Sequence, residues 1–229
     1  MGNRAIIQTK ESYEREGLGI YLHWYGGRDS VEPFLKYCEL KGYRAPDHDS
    51  YGWARLCQVI GNFIGGTLSL GIDNFSKDAG EWQDNGTYII EGWKIVDRKH
   101  YNHAEQNHHD FTEMLVAIDK AQPKSERLGT DFIRAEEVPV SELEIGDVVY
   151  VQNGYDGTYK KCTVVGFGDD TVNGHSMLYI PYVDLYGDEE KGYAWNCNNY
   201  LRTETVRKAK KKCKKKGGII NGYLATEIL

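Results

Sequence analysis

The sequence has little of what builds a covalent scaffold, a metal scaffold or a membrane anchor. Its five cysteines are odd in number, widely spaced and free of any CxxC pair. This argues against a disulfide framework or a zinc ribbon and fits a reducing cytosol. No run approaches the ~18 apolar residues that a membrane span needs, and no apolar run of signal-peptide length opens the chain. We therefore expect a soluble protein of the cytoplasm that makes no contact with membranes.

Catalytic and nucleotide-binding signatures that spacing can identify are also missing. The chain holds no GxSxG, HExxH, GxGxxG or Walker motif. Its Asp and Glu residues are too numerous to be paired by sequence alone. These absences favour a binding protein over an enzyme, and we expect no cofactor.

The net charge of −6 averages two unlike regions. Residues 202–229 carry nine basic and two acidic side chains, so residues 1–201 have a net charge of −13. A basic run can bind nucleic-acid phosphates through counterion release, or it can form a solvated helix face that folds back on the acidic part. The candidates for phosphate contact are Arg207, Lys208, Lys210, Lys211, Lys212, Lys214, Lys215 and Lys216.

The pattern of apolar residues predicts an α+β protein. In residues 1–121, alternating strand and helix patterns indicate an α/β sandwich-like domain with a small, mostly antiparallel sheet and three helices. The first helix is expected after Gly26-Gly27, with Asp29 and Glu32 as a capping box. The others are expected from Ser50 and over Ala104–Lys120.

The second half has a different pattern. Residues 122–137 are polar and are interpreted as a linker. Closely spaced strand patterns between Asn-Gly and Asp-Gly turns then predict a small β-barrel over residues 138–202. The segment from Val140 to Tyr150 is similar to the first strand of SH3-like barrels. Residues 203–229 are expected to form a basic helix, Thr203–Lys216, and an apolar tail.

The best local candidate for a functional contact is the turn before the first helix. A strand that passes through two glycines into a helix presents unpaired backbone N–H groups and the positive end of the helix dipole. An arginine there adds a fork of donors for a carboxylate or phosphate. The alternative is that the glycines serve only the tight turn. The residues concerned are His23, Tyr25, Gly26, Gly27 and Arg28, and Tyr21, His23 and Tyr25 are expected to share the solvent face of a strand over Leu18–Tyr25, opposite Trp24.

Aromatic residues are a second candidate surface. The 17 Tyr and five Trp residues are many for this length, and both types are enriched in interface hot spots. Those near turns of the expected barrel are binding candidates, unless they fill its core. They are Tyr155, Tyr159, Tyr193 and Trp195.

A metal site is the weakest candidate. Glu105, His109 and Glu113 follow at i, i+4 and i+8, so one helix face could present two carboxylates and an imidazole, with His48 as a ligand from a second element. The favoured interpretation is a polar helix terminus that holds no metal.

Three segments together carry a family resemblance. MGNRA at residues 1–5, GIYLHWYGG at 19–27 and IGNFIGGTLSLG at 60–71 resemble an uncharacterised family from bacterial prophages, plasmids and other mobile elements. Where that family usually has Asn after His-Trp, this chain has Tyr25. The resemblance implies a genomic setting and assigns neither an activity nor catalytic residues.

Taken together, these features predict a phage or mobile-element accessory protein that acts by binding. Its expected partner is a host protein or ribonucleoprotein, such as a defence nuclease complex inhibited in the manner of an anti-CRISPR protein, because an acidic surface can occupy a basic channel. The first alternative is a protein that binds DNA or RNA through the barrel and the lysine-rich tail. The second is a metal-dependent enzyme.

Overall fold

A computed structural model describes residues 2–66, 69–152, 158–170, 175–181, 193–197 and 205–209. For residues 168–170, 175–181 and 193–197 only the backbone is described. Within these ranges the chain is a mixed α+β protein with a five-stranded, a four-stranded and a three-stranded sheet. The predicted α+β class is confirmed. None of the helices in these ranges combines the length and the apolarity needed to span a bilayer.

The five-stranded sheet organises the first half of the chain. Its spatial order is β3-β2-β1-β4-β5. The β1 and β4 strands are parallel, and the other three neighbouring pairs are antiparallel, as predicted. The strands are β1 (Ala5–Thr9), β2 (Leu18–Leu22), β3 (Leu70–Asn74), β4 (Thr87–Glu91) and β5 (Lys94–Lys99).

Three long helices pack on one face of this sheet. They are α2 (Arg28–Leu40), α3 (Ser50–Ile64) and α4 (Phe111–Ala121), and two short helices, α1 (Lys10–Glu14) and α5 (Thr130–Ile133), accompany them. The third predicted helix begins seven residues late, because the Asp110 side chain accepts a hydrogen bond from Glu113 N at 2.9 Å and caps the helix there.

The core lies between this sheet face and the three long helices. Alternate strand residues point into it, and six of them are fully buried: Ala5, Ile7, Ile20, Leu22, Tyr88 and Ile90. Each large apolar side chain buried in this way contributes about 1.5–3 kcal/mol. The opposite sheet face is covered by residues 75–86, where a Cβ at Gly80 would lie 2.5 Å from Thr87 Oγ1. Both faces of β1 are therefore buried.

The second half forms two further sheets. The four-stranded sheet has the order β6-β12-β7-β8, and the three-stranded sheet has the order β11-β10-β9. Neither sheet closes within the described ranges, so the predicted SH3-like barrel is not seen there. The strands are β6 (Glu136–Pro139), β7 (Val148–Gln152), β8 (Tyr159–Thr163), β9 (Gly166–Asp170), β10 (His175–Pro181), β11 (Tyr193–Cys197) and β12 (Thr205–Lys208).

The predicted basic helix is wrong where the structure describes it. Thr205–Lys208 is the strand β12, which pairs antiparallel with both β6 and β7. Its Val206 is 7% exposed and joins Val149 and Val151 in a small second core. Burial between two strands outweighs the local helix propensity of the run. Residues 210–216 lie outside the described ranges.

The segment predicted as a linker is packed rather than exposed. Phe132 and Ile133 are 2% and 4% exposed and belong to the main core. The buried carboxylate of Asp119 accepts hydrogen bonds from Leu128 N at 2.7 Å, Gly129 N at 3.1 Å and the Tyr37 hydroxyl at 2.9 Å. One carboxylate thus ties α2, α4 and this segment together.

Candidate functional site

Two candidate segments that are far apart in sequence meet at one end of the five-stranded sheet. Strand register aligns Leu22 with Ala5 and Thr87 with Lys99, so β2 and β5 both end at this edge. Residues 23–27 lead from β2 to α2, and residues 100–110 lead from β5 to α4. We refer to residues 23–28 and 100–111 together as the sheet-end surface.

The turn after β2 differs from its prediction. The strand ends at Leu22, and His23 N donates to Ser69 O at 2.9 Å. Tyr25 has a φ of +58°, so it does not continue the face shared by Tyr21 and His23. The Tyr25 ring packs inward, 5.0 Å from the ring of Phe63, whereas the Trp24 side chain is 42% exposed. The expected orientations of Trp24 and Tyr25 are therefore reversed.

Gly26 has a packing role at this turn. Its N–H donates to Asn3 O at 2.8 Å, and a Cβ at this position would lie 2.5 Å from that same oxygen. The Tyr88 hydroxyl donates to Gly26 O at 3.0 Å. Gly27 is the N-cap residue of α2 and makes no side-chain cap, so Asp29 does not form the predicted capping box. These contacts agree with the alternative in which the glycines serve the tight turn.

Arg28 is paired with carboxylates of its own chain. Its Nε donates to Glu32 at 2.8 Å, and Nη1 lies 3.9 Å from a Glu105 oxygen. The hydrogen bond to Glu32 raises the pKa of Arg28. Asp29 accepts hydrogen bonds from the backbone N–H groups of His108 and His109 at 2.7 and 3.0 Å. The segment 100–110 therefore lies over the start of α2, and the donors of Arg28, predicted to face a carboxylate or phosphate ligand, face Glu32 and Glu105.

The residue that anchors the segment 100–110 to the sheet is Arg98, which sequence analysis missed. Its side chain is 9% exposed and lies between the rings of Tyr88 and Tyr101, 4.4 and 3.3 Å from their centroids. Nη1 donates to both carboxylate oxygens of Glu105 at 2.8 and 2.7 Å, and Nε donates to Asn85 O at 2.8 Å. No local motif marks this arginine, because its partners Asn85 and Tyr88 precede the β4–β5 turn, whereas Tyr101 and Glu105 follow β5.

Side-chain amides complete the polar layer beneath the sheet-end surface. Asn3 Nδ2 donates to Gln106 Oε1 at 2.8 Å, and Asn85 Nδ2 donates to Asn3 Oδ1. Together with the hydrogen bond from Gly26 N to Asn3 O, these bonds fix the N-terminal segment to residues 23–27 and to residues 100–110. Sequence analysis quoted Asn3 only as part of the family resemblance and gave it no role.

The structure does not bring the four candidate metal ligands together. Glu105 and His109 precede α4, so they do not share a helix face with Glu113, whose carboxylate pairs with Arg134 at 2.7 Å. His48 lines a cleft at the opposite end of the sheet, beside Trp93. Across the part of the chain that the structure describes, no three His, Cys, Asp or Glu side chains are arranged to hold a metal ion.

The aromatic candidates of the second half are only partly described. The Tyr159 ring packs against Phe132, with a centroid separation of 4.2 Å, and burial raises the pKa of its hydroxyl. It is therefore a packing residue of this region. Tyr193 and Trp195 lie on β11, where the backbone alone is described, and Tyr155 lies outside the described ranges.

Arg207 and Lys208 are engaged inside the protein. Arg207 Nη1 donates to the carbonyls of Phe132, Ile133 and Ala135 at 3.2–3.3 Å, and burial lowers the pKa of its guanidinium. Lys208 Nζ lies 2.5 Å from the buried carboxylate of Asp147, which raises the pKa of Lys208. Neither side chain presents a free cation to phosphate. Lys210, Lys211, Lys212, Lys214, Lys215 and Lys216 lie outside the described ranges.

Two surfaces are candidates for ligand contact, one a cleft and the other a pair of exposed aromatic side chains. An open cleft of about 400 Å³ lies at the β4–β5 turn and is lined by Tyr43, Arg44, His48, Trp93 and Lys94, among others. On the sheet-end surface, Trp24 and Phe111 are each 42% exposed. Such side chains suit contact with a macromolecule, because they bury large apolar area with few rotatable bonds.

Comparisons with protein-family models, with curated proteins and with solved structures find no match to this chain. Function is therefore inferred from the residues of the sheet-end surface and from the charge of the chain.

Proposed function

We propose that this protein is an accessory protein of a bacterial mobile element and that it binds a host macromolecule through the sheet-end surface. The observation that supports this most is the meeting of residues 23–28 and 100–111 at one end of the sheet. Two exposed aromatic side chains, Trp24 and Phe111, accompany it there. Binding is favoured over catalysis because the polar groups beneath are paired with one another.

The polar layer suits recognition because it fixes the surface before a partner arrives. Arg98 is held by two rings, a carboxylate and a carbonyl, and Asn3 links both connections. A surface that is already ordered loses less conformational entropy on association. Exposed aromatic residues on such a surface are typical anchors of protein interfaces.

The charge of the chain favours a basic partner. Residues 2–152 contain 25 acidic and 16 basic side chains, a net charge of −9. Complementary charge speeds encounter and selects the partner. A nuclease complex of host defence needs a basic channel for nucleic acid, so we propose such a protein or ribonucleoprotein of the bacterial cytoplasm as the partner, inhibited as anti-CRISPR proteins inhibit theirs.

Affinity capture from bacterial lysate tests this proposal. The tagged wild-type protein should retain a nucleic-acid-binding host protein or nucleoprotein, and the double variant Trp24→Ala/Phe111→Ala should retain at least tenfold less, the loss expected for hot-spot side chains. Trp82→Ala is the matched control, because Trp82 is 74% exposed and lies in the segment that covers the other sheet face. Failure of the wild type to capture any host component would contradict the proposal, as would equal loss in the control.

Nucleic-acid binding is the second candidate function, and the position of β12 favours it. Ala209 N donates to Val148 O at 2.8 Å, so the lysine run begins next to a strand anchored in the four-stranded sheet. We propose that residues 210–216 contact phosphate from this anchor, and that an SH3-like barrel formed by residues 138–202 would supply the remaining surface. Mobility shifts with DNA and RNA should be lost when residues 210–216 are deleted and should weaken steeply with salt. Retention of the shift after the deletion would remove the lysine run from the mechanism.

A further inference from the structure

Among the described residues, strand β3 forms one edge of the five-stranded sheet, and its backbone hydrogen bonds show which residues face outward. His23 N donates to Ser69 O and Phe75 N donates to Gly17 O. In an antiparallel pair, the residues that bond to the neighbouring strand alternate with those that do not. Residues 69, 71, 73 and 75 therefore bond towards β2, and the backbone groups of Leu70, Ile72 and Asn74 point away from the sheet.

Apolar side chains accompany this edge on the helix-bearing face. Ile72 lies opposite the buried Ile20, yet its side chain is 57% exposed, and the diagonal neighbour Leu18 is 37% exposed. Helix α3 covers only the start of the strand, where a Cβ at Gly61 would lie 3.9 Å from Leu70 Cδ2. An edge with outward backbone groups and exposed apolar residues is a template for strand addition.

We infer that this edge pairs with the same edge of a second copy of the chain, so that two five-stranded sheets become one ten-stranded sheet. In an antiparallel arrangement centred on Ile72, the Ile72 residues of the two copies lie opposite each other. Leu70 of each copy then lies opposite Asn74 of the other. The outward N–H and C=O groups of Leu70 and Ile72 then pair across the two-fold axis, and the Asn74 N–H exchanges its bond to Asp73 Oδ1, 2.8 Å long in the single chain, for the Leu70 carbonyl of the other copy.

Two further features make the edge complementary to itself. Asp73, the one charged residue of β3, comes to lie opposite Gly71 of the second copy, so no like charges stand directly opposite. Directly paired residues point to the same sheet face, which brings the helix layers of both copies to one side. The α3 helix above Leu70 of one copy then adjoins Asn74, Ile72 and Leu18 of the other, which no described helix of their own copy covers.

The expected dimer is weak, because a five-residue strand and one helix end bury less than the roughly 1,600 Å² of a standard interface. Light scattering coupled to size exclusion on the full chain should show a dimer population that rises between about 1 and 300 µM. Ile72→Lys should raise the dimer dissociation constant about tenfold or more, because two lysines would then lie directly opposite each other. Ile145→Lys is the matched control, since Ile145 is 69% exposed in a turn before β7.

Hydrogen exchange adds a readout that a general loss of solubility would not reproduce. The amides of Leu70 and Ile72 should exchange more slowly as the protein concentration rises, whereas those of Gly71 and Asp73 should not change. A wild-type protein that is monomeric throughout this range would overturn the inference. The same result is expected if the edge pairs with a strand of another protein and not with a second copy. A dimer that survives Ile72→Lys, or that is lost equally in Ile145→Lys, would also overturn it.

Discussion

The sheet-end surface and the strand β12 each lie beside or contain an arginine that is enclosed by the protein, although only β12 belongs to a basic run of the sequence. At the sheet end, Arg98 is enclosed by Tyr88, Tyr101 and Glu105, and two aromatic side chains, Trp24 and Phe111, are exposed. In β12, Arg207 is enclosed by carbonyls of the segment 132–135. One arginine lies in no basic run and the other lies in the most basic run of the chain. Their contacts, and not the composition around them, decide whether their charge is available to a partner.

The largest expected loss of stability concerns Asp119, which holds the segment between the two regions, residues 122–137, in place. Asp119→Ala would leave three donors without their acceptor, those of Tyr37, Leu128 and Gly129. We expect the free energy of unfolding to fall by about 4 kcal/mol in urea titrations. Asp131→Ala is the control, because its carboxylate is 75% exposed, and it should change stability by less than about 0.5 kcal/mol. Equal losses of unfolding free energy for Asp119→Ala and Asp131→Ala would contradict the role of the Asp119 carboxylate and favour the exposed linker predicted from the sequence.

The next effect distinguishes a structural arginine from a phosphate contact. Arg207→Ala leaves three carbonyls without their donor and removes the guanidinium from the face of Phe132, 5.1 Å away. We expect a loss of about 2–3 kcal/mol. Arg134→Ala, which removes a half-exposed arginine paired with Glu113, should cost less than about 1 kcal/mol. A stable Arg207→Ala protein with weakened nucleic-acid binding would reverse this assignment.

At the sheet end, the enclosed Arg98 and the more exposed Arg28 offer a second comparison of the stability that an arginine contributes. Arg98→Ala should cost about 2 kcal/mol, and Arg98→Lys should restore little of it, because an ammonium cannot stack between two rings as a planar guanidinium does. Arg28→Ala should cost about 0.5 kcal/mol, since its side chain is 42% exposed. Thermal unfolding of the three variants measures the order. A larger loss for Arg28→Ala would make Arg28 the structural clamp.

The smallest expected effect is a pH dependence at Asp84. The hydrogen bond from Arg4 holds the pKa of this carboxyl below its usual value. The carboxylate form therefore stabilises the fold above the pKa of the unfolded chain, and this contribution is lost as the pH falls through the lower folded pKa, below about pH 4. Because both side chains are more than one-third exposed, the contribution should stay below about 0.5 kcal/mol. Asp84→Asn should lower stability at pH 7 and leave it unchanged near pH 2.5; an equal loss at both pH values would contradict this origin.

Elements whose signals are local were predicted well. Periodic apolar residues identify α2 and α3. The start of α4 was placed too early, because the polar residues 104–110 fit a helix pattern until Asp110 caps it. Strand β12 was missed because its partners, β6 and β7, lie more than 50 residues earlier in the chain. Sequence periodicity carries no signal for such pairing.

The candidate site was predicted in halves. The turn at residues 23–28 and the polar segment 100–110 were both identified, but as separate sites with different chemistry. What joins them is Asp29, which accepts hydrogen bonds from His108 N and His109 N, and Asn3, which bonds to both Gly26 and Gln106; these contacts depend on the order of strands in the sheet. Strand order is set by long-range packing, so a single sequence could not place the two segments together.

The most direct test of the sheet-end surface is the hydrogen-exchange difference between the free protein and its complex with the captured partner. Backbone amides in residues 23–28 and 100–111 should exchange more slowly in the complex, and those of the four-stranded sheet should exchange at their free rates. Protection confined to β6, β7, β8 and β12, with unchanged exchange at the sheet end, would contradict the proposed binding surface.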